Sequence, residues 1–175
     1  MTNDESALKA AIRDVPDFPK KGIIFRDITT LLKDKRSFRL AVDRLVDLVG
    51  GRPADKVVAI ESRGFILGSV VADRIGAGFV PVRKPGKLPW RTRQASYALE
   101  YGTDSLAIHE DAVGPGERIL VVDDLIATGG TAQAVGELVR GLGASVSAYA
   151  FLVELTALNG RDKLRGTEVL SLIRY

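Results

Sequence analysis

The chain has 175 residues, 46% hydrophobic and 27% charged, with a net charge of +3. That is enough for one domain with a substantial core, no apolar run approaches the ~20 residues of a membrane span, and so mild a charge does not by itself argue for nucleic acid. No cysteine and a single histidine, His109, exclude disulfides, thiolate nucleophiles and multi-histidine metal sites, while "MTNDESALKAAIRD" lacks the apolar core of a signal peptide, so a cytoplasmic protein is expected.

Leu8, Ile12 and Val15 at helical spacing predict a short helix over residues 5–14, broken by "PDFPKKG". "IIFRDITTLL" is short, apolar and ambiguous between strand and helix. Phe38, Ala41, Val42, Leu45 and Val49 mark one face of a helix that Gly50 and Gly51 stop. "VVAI" (57–60) reads as a buried strand, "FILGSVVADRI" (65–75) as a packed helix ended by Gly76, and "GFVPVR" (78–83) as a strand. "ASYALEY" and "SLAIH" flank "GTD" as a hairpin. "RILVV" (118–122) is the clearest buried strand, and Val135, Leu138, Val139 and Leu142 mark a helix stopped at Gly143. "SVSAYAFLVEL" and "VLSLI" are the last two strands.

Strands alternating with helices imply an α/β fold with a mostly parallel central sheet flanked by helices. Ligands of such sheets sit at the carboxyl ends of the strands. Three strand ends carry polar residues: Glu61, Ser62 and Arg63; Arg83 and Lys84; and Asp123 with Asp124.

"VVDDLIATGGTAQA" (121–134) sets two carboxylates before a small, hydroxyl-bearing loop and a helix start. The glycines permit positive φ, so successive backbone N–H groups can face one concavity, and the helix N-terminus adds partial positive charge. This is a phosphate cradle, distinct from a Walker A loop and from the dinucleotide fingerprint. Asp123 and Asp124 would repel a bare phosphate, but carboxylates accept hydrogen bonds from the vicinal hydroxyls of a ribose that carries one. A capped turn is the plainer alternative, and it accounts less well for two acids, a hydroxyl loop and a helix start in that order. "RKPGKLPWRTR" (83–93) holds five basic residues and no acid; it is either a solvated loop or a site for a polyanion.

"VVDDLIATGGT" resembles the phosphoribosyl diphosphate (PRPP) motif of the type I phosphoribosyltransferases. "VPDFPKKGIIFRDITTLL", "ESRGF", "RKPGKLP", "SYALEYG" and "LVELTALNGRDKL" resemble, in the same order, segments of the adenine phosphoribosyltransferases. The resemblance runs from about Val15 to the last strand; "PWRTRQ" (89–94) departs from it and affects loop detail only. It implies the type I phosphoribosyltransferase fold: a single domain over 1–175, with a small N-terminal arm and hood for the base over about 1–35 and a flexible β-hairpin lid over about 95–109. It also implies an enzyme of purine salvage, converting adenine and PRPP to AMP and diphosphate.

The resemblance places Ala127, Thr128, Gly129, Gly130 and Thr131 on the 5-phosphate and Asp123 and Asp124 on the ribose. Arg63, Arg83, Lys84, Lys87 and Tyr101 go to the pyrophosphate, where Tyr101 would help shut the site or else pack across the hairpin. An ion pair with Glu61 is the alternative for Arg63. Ile24, Phe25 and Arg26 would form the adenine pocket, although "IIF" alone reads as a core strand. Glu100 would carry the purine proton; without the resemblance it reads as an exposed hairpin residue. Trp90 receives no role, and His109 is expected at the surface. Mg2+ would be held mainly by the ligand's own oxygens and water, with no all-protein metal cage. In the family part of the basic segment reaches a neighbouring subunit, which implies a homodimer; no nucleic-acid or membrane partner is implied. Two other readings share the fold: a 6-oxopurine phosphoribosyltransferase, against which "IIFRD" speaks, and a non-catalytic PRPP-sensing regulator. About 14 residues precede the resemblance, too few for a DNA-binding unit of several helices.

Overall fold

The computed structural model describes residues 3–98 and 103–175. The chain divides into two compact units, Met1–Arg44 and Leu45–Tyr175. The first contains α1 (Asn3–Ala11), β1 (Arg13–Pro16), β2 (Ile24–Asp27), α2 (Thr29–Lys33) and the start of α3 (Lys35–Val49). The helix expected over 5–14 therefore ends early, at Ala11. Arg13–Pro16 pairs antiparallel with β2, with Val15 opposite Phe25. Two pairings outweigh the helical spacing of Val15. Arg13 reaches Asp27 at 2.9 Å across the strands, and the Thr30 hydroxyl donates to the Ala11 carbonyl at 2.7 Å, satisfying one of the acceptors a helix end leaves open. "IIFRDITTLL" proves to be both things in turn: its first half is β2 and its second half α2.

The second unit contains β3 (Lys56–Ile60), α4 (Arg63–Ile75), β4 (Gly78–Val82), β5 (Thr92–Ala98), β6 (Thr103–His109), β7 (Arg118–Ile126), α5 (Gly130–Gly141), β8 (Ser145–Glu154) and β9 (Glu168–Arg174). One sheet runs in the order β4-β3-β7-β8-β9, and every neighbouring pair in it is parallel. β5 and β6 form a separate antiparallel hairpin. The apolar stretch of β7, Ile119 to Val122, is fully buried, as expected of a central strand covered on both faces. Val135, Leu138 and Val139 of α5 join Tyr149 and Phe151 of β8 in the same core. α4 lies close to β3 because Gly68 has no side chain: a Cβ there would stand 2.5 Å from the Ala59 Cβ.

β7 continues four residues beyond the strand expected over 118–122. β3 pairs with it only as far as Ala59 opposite Val122, whereas β8 pairs with it on to Ile126 opposite Glu154. Asp123 and Asp124 thus lie inside a strand, on the stretch where β3 no longer pairs with β7. One-sided pairing of this kind opens a gap at the carboxyl end of the sheet, beside α4 and α5.

Candidate active site

The gap is a cleft of about 480 Å³. β7 supplies the two carboxylates to it, the turn into α5 supplies residues 127–131, and the start of α4 supplies Arg63. Gly64 makes the approach of α4 possible, since a Cβ there would lie 2.6 Å from Asp123 Oδ1 and 3.3 Å from the Val122 carbonyl. The motif "ESRG" contained that signal, but the sequence reading assigned Gly64 no role.

Arg63 pairs with Asp124, Nε to Oδ2 at 2.6 Å. Glu61 accepts from Arg83 Nε at 2.6 Å. Spacing along the chain cannot show that β7 brings Asp124 to Arg63. Asp123 Oδ1 accepts from the Asp124 backbone N–H at 2.9 Å. Burial, and next the charge on Asp124, push the Asp123 carboxyl well above the usual carboxylate range. Burial raises Asp124 as well, against the pull of the Arg63 guanidinium. Carboxyl oxygens so placed can accept hydrogen bonds from sugar hydroxyls.

The loop ends in Gly129, which caps α5 in the left-handed region at φ 78°. Gly130 does not take positive φ, so only one of the two glycines uses the freedom expected of both. Gly129 is also closely packed: a Cβ on it would run into the Gly160 carbonyl oxygen and lie 3.0 Å from its carbon. No side chain caps the first turn of α5, and Thr128 to Thr131, where that helix begins, line the cleft. That arrangement favours a bound anion.

Lys84 also lines the cleft, with Tyr97. Its ammonium is ion-paired to Asp104, which accepts from the Tyr97 hydroxyl at 3.1 Å. The Lys84 hydrogen bond holds the Asp104 carboxyl below its usual range. Neither Tyr97 nor Asp104 was singled out in the sequence; both face Lys84 only because the hairpin folds back, where Arg83 and Ala107 exchange backbone hydrogen bonds at 3.0 and 2.7 Å. Arg83 and Lys87 do not line this cleft. Arg83 is held by Glu61 and donates to the Lys87 carbonyl at 3.1 Å.

Ile24, Phe25 and Arg26 lie on β2 of the N-terminal unit. Phe25 meets the edge of Phe18 with ring centres 5.2 Å apart, Arg26 is ion-paired to Asp14, and Ile24 is 50% exposed. Glu100 and Tyr101 lie outside the described residues. His109 Nε2 contacts the Pro89 carbonyl at 2.5 Å, and Trp90 is 63% exposed. Among the described residues no group of three or more His, Asp or Glu side chains converges on a metal position, and no helix is long and apolar enough to cross a membrane.

The phosphoribosyl transferase domain family matches residues 30–170. The adenine phosphoribosyltransferase of Thermotoga neapolitana is 62% identical over 168 residues, spanning 96% of this chain and 99% of that protein. The crystal structure of adenine phosphoribosyltransferase from Thermoanaerobacter pseudethanolicus is similar with a TM-score of 0.95 at 53% identity, over 98% of this chain and 99% of that one. The Saccharomyces cerevisiae adenine phosphoribosyltransferase, in complex with an imino-altritol bisphosphate and adenine, has a TM-score of 0.91 at 40% identity, over 99% and 100% of the two chains. A strand, loop and helix that join paired carboxylates to an anion cradle thus occur in a chain similar over nearly its whole length to these proteins, and the chain belongs to the phosphoribosyltransferase family and, within it, to the adenine phosphoribosyltransferases.

Proposed function

We infer that this enzyme is a purine-salvage transferase that converts adenine and PRPP to AMP and diphosphate. The observation that carries the reading is the single cleft in which Asp123, Asp124, the 127–131 loop, Arg63 and Lys84 meet. The loop and the start of α5 hold the 5-phosphate, the carboxylates take the ribose hydroxyls, and the cations receive the pyrophosphate. The bond from the anomeric carbon to the diphosphate oxygen breaks, and a bond to the purine nitrogen forms. Positive charge develops on the sugar near Asp123 and Asp124, and negative charge on the leaving group near Arg63 and Lys84. Fixed charges placed for both lower the barrier without reorganising during the reaction.

Arg83 and Lys87 complete the pyrophosphate site once Arg83 exchanges Glu61 for ligand oxygens; a guanidinium fits paired oxygens. Ile24, Phe25 and Arg26 receive adenine, a reading supported by the aromatic face of Phe25 and by the adenine bound to the yeast protein. Glu100 takes the proton that the purine nitrogen gives up, and Tyr101 helps shut the site. Mg2+ would be carried mainly by the substrate's oxygens and would neutralise diphosphate charge; among the described residues the acidic groups lining the cleft are Asp123, Asp124 and Glu61, which suits an ion held mostly by ligand oxygens. The enzyme acts as a homodimer, a reading supported by exposed Trp90, Ile66 and Phe79. A chain without cysteine fits a reducing compartment and supports a cytoplasmic location. The test is to incubate the purified protein with PRPP, Mg2+ and each purine base and to measure diphosphate. Release with adenine far above that with hypoxanthine or guanine is expected; comparable release with hypoxanthine would overturn the substrate assignment.

A further inference from the structure

Beyond the cleft, Glu154 is a charged residue in the interior, only 5% exposed. It ends β8, and its carboxylate is clasped by a fork from Arg161: Nε to Oε1 at 2.5 Å and Nη2 to Oε2 at 2.6 Å. The same guanidinium donates to the Ser171 hydroxyl at 2.8 Å and to the Val169 carbonyl at 2.5 Å. Arg174 adds a second cation at 3.3 Å. Three elements are tied together in this way: the end of β8, the strand β9 and the turn Gly160–Leu164. A hydrogen-bonded pair built on a buried carboxylate in this way sets geometry more than it adds stability.

The residue next to Arg161 is Gly160, which is buried. Its backbone forms the surface against which Gly129 packs, and a Cβ on Gly160 would in turn strike the Ala127 carbonyl and come within 3.1 Å of the Gly129 nitrogen. The phosphate loop therefore has backbone at its back, and that backbone is fixed in place by the neighbouring arginine. Leu155 N–H donates to the Ile126 carbonyl at 3.0 Å, which fastens the chain just after β8 to β7 where the loop begins.

We propose that Glu154 and Arg161 are positioning residues for the phosphate-binding loop: their ion pair sets the Gly160 backbone, and Gly160 sets the conformation of Ala127 to Gly129. The proposal rests on the reading of that loop as the 5-phosphate site. Neither side chain lines the cleft, so the effect passes through one backbone-to-backbone contact. A neighbour of the site that shifts a binding group by about 1 Å can cost on the order of a hundredfold.

The test uses Arg161→Lys, which keeps the charge but loses the fork, and Gly160→Ala, which keeps the ion pair but presses on the loop. Calorimetry measures AMP, which carries the 5-phosphate, and inorganic diphosphate, which does not. In both variants AMP affinity should fall roughly tenfold to a hundredfold, with diphosphate affinity within about twofold of wild type. Circular dichroism confirms that the variants are folded. Undiminished AMP affinity in both folded variants, even with a lowered Tm, would reduce the pair to a structural brace and overturn the proposal. Equal losses for AMP and diphosphate would overturn it too, since the damage would not be local to the loop. Failure of the wild-type protein to bind AMP would instead refute the reading of the loop, and the proposal with it.

Discussion

Arg63 Nε and Asp124 Oδ2 stand 2.6 Å apart, so two residues assigned to opposite ends of one ligand hold each other. Asp124 is nearly buried and Arg63 about one-third exposed. A ligand with both a ribose and a pyrophosphate offers each of them a replacement partner at once. Removing the arginine alone leaves a buried carboxylate without its cation, at a cost of about 1–3 kcal/mol. Arg63→Gln should therefore lower Tm, and Arg63→Gln with Asp124→Asn should recover most of the loss without recovering turnover. Thermal unfolding and steady-state kinetics of the two variants test this; a double variant no more stable than the single one would show that the pair contributes nothing.

Asp123 leads to a prediction about pH. Its folded carboxyl titrates above its unfolded value, because burial and Asp124 disfavour the charge. Ionisation therefore costs stability as pH rises from the unfolded value towards the folded one, and the whole penalty is present above both. Asp123→Asn keeps the oxygen that accepts from the Asp124 N–H and removes that penalty. At neutral pH it should raise Tm by on the order of 2–4 °C, the equivalent of about 1 kcal/mol in a chain of this size. The gain should vanish below about pH 4, where the unfolded carboxyl is itself protonated, and PRPP turnover should fall throughout. A Tm difference that does not change between pH 8 and pH 3.5 would count against it.

Gly129 combines a left-handed backbone with a close neighbour. Gly129→Ala should destabilise the fold by at least about 2 kcal/mol, from the positive φ and the overlap with Gly160 together, as well as weakening PRPP binding. Gly130, which has ordinary φ, should tolerate alanine in stability far better. Equal denaturation midpoints for Gly129→Ala and wild type would contradict the packing described.

Glu100→Gln keeps shape and a hydrogen-bonding group but cannot take a proton. If Glu100 carries the purine proton, kcat should drop by ~10²–10⁴-fold with PRPP affinity little changed. A residue that only closes the site would instead raise PRPP hydrolysis in the absence of adenine, as water enters. Unaltered kcat at saturating adenine and PRPP would return Glu100 to the hairpin surface.

The α/β class, the strand alternation and the cradle after β7 were legible in the sequence because each depends on neighbours in the chain: apolar runs, glycine stops, and acids beside a hydroxyl loop. Short-range pattern failed where a long-range partner decided. Val15 keeps helical spacing with Leu8 and Ile12, yet pairing with Phe25 makes it a strand. Asp123 and Asp124 were read as lying at a strand end, yet β8 carries β7 past them to Ile126. Arg63 pairs with Asp124, which is near it only in space, so spacing along the chain could not reveal that partner. The backing of the phosphate loop by Gly160 joins residues about thirty positions apart through main-chain atoms, and contacts between backbones leave no mark on side-chain pattern. Residue chemistry determined what this protein can bind; the order of its parallel strands decided which charges face one another across the cleft.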